Sequence, residues 1–160
     1  MKRILLAVAF LLAMVTGSYA YQNSSYLYVY AYVVPTCNVN APYIFFSNYS
    51  GSQMNNAGAL YVTCNASAVA YEVTLDAGQH YNGAWRQVSN GTQSMIYAVY
   101  APSGSEWGDS DHANTYVYGP GVGGSSSGGT DSIGYTAVLW GGQFVPVGWY
   151  YDTITANVFF

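Results

Sequence analysis

From Tyr26 to Val33 the residues alternate without a break, with Leu27, Val29, Ala31 and Val33 on one side of an extended chain and Tyr26, Tyr28, Tyr30 and Tyr32 on the other. A period of two sends successive side chains to opposite faces of a pleated strand, and no helix reproduces it. Further strand candidates follow at Tyr43–Phe46, Ala59–Cys64, Ala68–Leu75, Ser94–Tyr100, Thr115–Tyr118, Ile133–Leu139 and Asp152–Phe160, separated by Gly, Asn, Ser and Pro clusters that read as turns. Composition points the same way. Tyr and Gly each occur 18 times, charged residues make up only 6%, and Lys, Glu and Leu at helical spacing are nearly absent beyond residue 20. Aromatic and β-branched residues fit pleated surfaces. The expected fold class is all-β, a sandwich of about seven or eight short strands.

The first twenty residues stand apart. Lys2 and Arg3 precede an apolar run from Ile4 to Val15, and Ser18-Tyr19-Ala20 supplies a small-residue exit, the pattern of a secretory signal peptide over residues 1–20. The mature chain is expected to begin at Tyr21, outside the cytoplasm. No membrane insertion is expected, because no later run reaches the roughly 20 apolar residues that a spanning helix needs. What remains is about 140 residues, the size of one domain. It sets seven acids against the single base Arg86, a balance that repels phosphate backbones and excludes nucleic acid as a partner. Two cysteines in an exported chain, Cys37 and Cys64, are expected to form a disulfide, worth roughly 3–4 kcal/mol in the chain-entropy description. Cys37 would open the first core strand and Cys64 would close the second.

No catalytic set assembles from this inventory. His80 and His112 are the only imidazoles, neither lies beside a nucleophile motif such as Gly-x-Ser-x-Gly, and both read as exposed loop residues. Gly119–Gly129 lacks the Lys and the following helix of a phosphate cradle and reads as a flexible inter-strand loop. The run Glu106-Trp107-Gly108-Asp109-Ser110-Asp111-His112 lacks the alternate oxygen positions and distal Glu of a calcium loop, leaving an acidic surface turn. Glu72 and Asp76 share a face of one strand candidate without a cleft to work in. Catalytic residues, metal and cofactor are therefore all expected to be none, and the protein is not expected to be an enzyme. Trp85, Trp107, Trp140, Trp149 and the tyrosines suit either a sugar-stacking platform or a subunit interface, and the sequence leaves both open.

Five segments carry a resemblance: Cys37-Asn38-Val39; Ala57-Gly58-Ala59-Leu60-Tyr61-Val62-Thr63-Cys64; Tyr71-Glu72-Val73-Thr74-Leu75-Asp76-Ala77-Gly78 with Arg86 following; Ile96-Tyr97-Ala98-Val99-Tyr100 with Trp107-Gly108-Asp109; and Gly148-Trp149-Tyr150-Tyr151-Asp152-Thr153-Ile154 through Phe160. In order and spacing they resemble the spore coat protein U domain proteins, a family that includes the pilins of archaic chaperone-usher fimbriae. The resemblance implies an immunoglobulin-like β-sandwich lacking its last strand, over residues 35–160, with residues 21–34 as an N-terminal donor strand extension. It implies a groove beside the last strand, filled first by a periplasmic chaperone. An outer-membrane usher then exchanges the chaperone for the extension of another identical or related pilin, giving a homo-polymer at the cell surface. The chain departs from the family in its tyrosine excess, its long Gly/Ser stretch and an aromatic Phe159 in the penultimate position.

The residues agree with this on their own terms. Ile154, Ala156, Val158 and Phe160 alternate with Thr153, Thr155, Asn157 and Phe159, so the expected last strand offers an apolar face and an open edge. Leu27, Val29, Ala31 and Val33 are the expected donor residues; burying them in a neighbour yields roughly 4–9 kcal/mol before ordering costs. An ordinary first strand in the chain's own sheet would use the same residues. The expected function is a structural pilin serving adhesion and biofilm. The alternative is a secreted coat or glycan-binding β-sandwich protein acting through surface Trp and Tyr.

Overall fold

The computed structural model describes residues 22–110 and 119–160. The expected signal peptide over residues 1–20, the strand candidate Thr115–Tyr118, and Asp111 and His112 lie outside the described residues. The chain divides into two compact units, Met1–Tyr32 and Val33–Phe160. Among the described residues there is no helix, and eight strands run β1 (Cys37–Asn40), β2 (Met54–Cys64), β3 (Ser67–Leu75), β4 (Arg86–Ser89), β5 (Ser94–Tyr100), β6 (Val122–Ser127), β7 (Thr130–Leu139) and β8 (Ala156–Phe159).

All pairings are antiparallel, in one sheet of order β1-β2-β7-β5-β4 and a second of order β6-β3-β8. The inward faces follow the period of two. Leu60, Val62 and Cys64 from β2, Tyr97 and Val99 from β5, and Ile133, Tyr135, Ala137 and Leu139 from β7 meet Tyr71, Val73 and Leu75 from β3 in one buried cluster. The backbone spine is the long β2–β7 ladder, in register from Met54↔Leu139 to Thr63↔Thr130. Cys37 and Cys64 face each other in the β1–β2 register and form a disulfide, joining the start of one strand to the end of the next.

Three strand expectations need correction. Gly119–Gly129 is not a free loop, because Val122–Ser127 forms β6, hydrogen-bonded along β3. Glycine serves the pairing here: Gly124 lies opposite Tyr71, and a Cβ on it would run into the Tyr71 ring. The same device recurs where Gly58 lies opposite Tyr135, so part of the glycine and tyrosine excess is one cross-strand arrangement used twice. Tyr43–Phe46 forms no strand: no backbone ladder joins it among the described residues, and Phe45 O accepts instead from the Asn56 side chain, Nδ2, at 3.1 Å. The last strand is shorter than Asp152–Phe160, because residues 152–155 spend their backbone groups on the loop after β3 rather than on a ladder. β4 (Arg86–Ser89) is too short and too polar to show a periodic pattern in the sequence.

Candidate functional site: an open groove beside the last strand

β8 pairs with β3 on one side, and on its other side no strand follows among the described residues. Beside it the core is open. A groove of about 700 Å³ reaches from the surface down to Leu60, Leu75, Met95, Val99 and Leu139. One wall is residues 41–49 and the other is residues 145–154 with Ala156. Along the first wall Ile44 and Phe46 pack against the core while Tyr43 and Phe45 are exposed. That wall therefore has the side-chain order of a strand without a backbone partner.

Ile154, Ala156 and Val158 are half-buried and packed on the core, while Phe159 and Phe160 are exposed. The second wall is fixed by polar bonds. The Ser89 and Tyr151 N–H groups each donate to the other residue's carbonyl, at 2.9 and 3.1 Å, and Gln79 N donates to Thr153 O at 3.2 Å. Asp76 N donates to Thr155 O at 3.0 Å, and Asp76 Oδ1 accepts from Thr155 N at 2.9 Å. The buried Asp152 carboxylate accepts from Tyr97 Oη at 2.6 Å and from His80 N at 3.1 Å, with His80 Nδ1 at 3.1 Å. Burial, and then the bond to Asp152, pushes the Tyr97 phenol well above its ordinary range. Gly78, at a φ of +78°, is required here, since a Cβ would strike the Asp152 carboxylate.

Arg86 holds the other end of this loop. It is fully buried, donating from Nε to Asp76 O at 2.9 Å and from Nη2 to Leu75 O at 3.0 Å and Asp76 O at 2.7 Å. Its Nη1 lies 3.7 Å from Glu106 Oε1. Burial lowers the guanidinium pKa and raises that of Glu106, while the charge of each opposes the other's shift. The one Lys or Arg beyond residue 3 is thus a structural tie between the end of β3 and its loop.

Residues 22–36 form no strand, and the side chains of Leu27, Val29, Ala31 and Val33 are exposed, Leu27 at 90%. The root of this segment is held where it meets the body. Asn65 Oδ1 accepts from Thr36 N and Asn65 Nδ2 donates to Val34 O, both at 2.9 Å, while Asn65 N donates to Thr36 O at 3.1 Å.

Several sequence expectations change. His80 is half-buried against Asp152 rather than exposed in a loop. Trp107 is fully buried with Nε1 donating to Val73 O at 2.8 Å, and so contributes to no binding platform. Trp149 is 83% exposed, whereas Trp85 and Trp140 pack edge to face with centroids 4.9 Å apart. Asp76 lies past the end of β3 and engages Gly78 N and Thr155 N, a turn-forming role rather than half of an acid–base pair with Glu72. Among the described residues no group of three or more His, Cys, Asp or Glu could hold a metal ion. Sequence reasoning did not find Asn65, nor the start of the second wall at residues 145–147; the Pro146 break was the available signal for the latter.

Two packed antiparallel sheets with a groove open beside the last strand define an all-β, immunoglobulin-like sandwich. Residues 23–157 match the Spore Coat Protein U domain family, and the chain belongs to that family. No curated protein sequence matches it. Among solved structures it is similar to a chain in the CsuC–CsuE chaperone–tip adhesion subunit pre-assembly complex from the archaic chaperone-usher Csu pili of Acinetobacter baumannii, with a TM-score of 0.56 and 20% identity. That match covers 80% of this chain, which spans 40% of the length of the other. At that identity the likeness is one of fold.

Proposed function

We propose that the protein is a non-catalytic pilin that polymerises by donor-strand exchange into a surface fibre serving adhesion and biofilm. The observation carrying this reading is the groove of about 700 Å³ beside β8, in a chain that also presents the unpaired alternating segment Tyr26–Val33. An added strand there would satisfy the open backbone edge of β8 and cover the exposed core. Leu27, Val29, Ala31 and Val33 supply side chains for the groove, which Ile154 and Ala156 line, with Val158 and Phe160 further along the receiving strand. Before assembly a periplasmic chaperone would occupy the same groove, and an outer-membrane usher would exchange it, following export by the leader. The family membership and the pilus-complex neighbour support this order of events.

Deletion of residues 21–34 tests the reading directly. The expected result is loss of fibres in electron micrographs, leaving a monomer that binds a synthetic Tyr26–Val33 peptide and melts at a higher temperature with it. Fibres that persist after the deletion, or a truncated monomer indifferent to the peptide, would overturn it.

A further inference from the structure

The tyrosine side of the N-terminal segment is unused by donor-strand exchange, and its geometry is specific. Tyr26, Tyr28 and Tyr30 are exposed at 86%, 71% and 86%. The Tyr28 ring lies 6.4 Å, centroid to centroid, from both Tyr26 and Tyr30, and is nearly parallel to the latter, at 19°. This spacing is built into the backbone, because residues two apart in an extended chain share a face. No Tyr–Tyr ring pair other than these occurs among the described residues, and Tyr43 is 87% exposed without one.

We infer that Tyr26, Tyr28 and Tyr30 form an oxidative modification site, at which peroxide-driven one-electron oxidation couples adjacent rings into dityrosine. Each of two phenols gives up one hydrogen atom to become a phenoxyl radical. The two radicals join by one ortho carbon–carbon bond, and loss of the ortho hydrogens to the phenolic oxygens restores both rings. Two hydrogen atoms leave in all, and one hydrogen peroxide is reduced to two waters. Proximity decides the site: a radical on Tyr28 has a second ring 6.4 Å away on either side, whereas one on Tyr43 has no ring beside it among the described residues. The product ties residues two apart and so removes backbone freedom from the extended segment. The inference rests on donor-strand exchange only for which face stays exposed in a fibre; the coupling itself is a property of the single chain.

The test is treatment of the dilute, full-length mature protein with hydrogen peroxide and a haem peroxidase, reading dityrosine fluorescence and locating the linkage by peptide mass spectrometry. The expected yield per chain is independent of protein concentration and maps to Tyr26–Tyr30. In Tyr28→Phe it falls to the level of a chain with Phe at Tyr26, Tyr28 and Tyr30, while Tyr43→Phe leaves it unchanged. A yield that falls on dilution, survives Tyr28→Phe, maps elsewhere or is nil overturns the inference. Fibre formation by Tyr28→Phe, scored separately, reports on donor-strand exchange alone, since Leu27, Val29, Ala31 and Val33 are untouched.

Discussion

Tyr26–Val33 and Ile154–Phe160 carry the same alternation and come to different ends. In the second, Ile154, Ala156 and Val158 are packed on the core, and residues 156–159 are laddered to β3. In the first, Leu27, Val29 and Val33 stay 65–90% exposed and no strand forms. Alternation specifies which side chains share a face, but a strand exists only where another backbone takes up its hydrogen bonds. Residues 43–46 stand between the two cases, with a half-buried face but no ladder.

The sharpest way to break this comparison is to place a charge in each segment. Val158→Asp sets a carboxylate against the core from a half-buried position and should cost about 3 kcal/mol, seen as a lowered melting temperature. Val29→Asp should leave the monomer's melting within about 0.5 kcal/mol while abolishing fibres; an equal loss of stability in both variants would mean the first segment is already packed. Replacing both Cys37 and Cys64 by Ser should lower stability by roughly 3 kcal/mol in urea unfolding, loosening the β1–β2 start from which the first segment departs. Asn65→Ala removes two side-chain bonds to that root. It should cost about 1 kcal/mol and speed hydrogen exchange at the Thr36 amide.

The smallest effect is one of pH. The folded state keeps the Tyr97 proton to a higher pH than the unfolded chain, whose phenol titrates near 10.0. Its contribution is therefore whole below about pH 10 and is lost as the pH rises beyond that. Melting temperature should fall above this point, and Tyr97→Phe should flatten the decline, which tests the hold of Asp152 on the groove wall.

Much of the fold was legible because its strands are long and alternate: Ser94–Tyr100 is β5, and Ala68–Leu75 differs from β3 by one residue. The disulfide followed from an even cysteine number and the expectation of export. Legibility failed where the decisive interaction joins distant parts of the chain. The Gly/Ser stretch reads as a loop until Tyr71 is found over Gly124, and His80 reads as exposed until Asp152 arrives from 72 residues away. The last strand and the order at 43–46 were both visible as patterns, but the ladder that only one of them forms was not. The strand-like order at 43–46 needs a partner that the sequence alone cannot place.

The burial of Arg86 has a consequence for resistance to proteolysis. Beyond residue 3 it is the only Lys or Arg in the chain, and it is fully enclosed. A trypsin-like protease, which needs a basic side chain in its specificity pocket, therefore meets no cleavable bond on the folded surface or in the exposed N-terminal segment. A fibre built from such subunits would yield to that class of enzyme only after its sandwich had come apart.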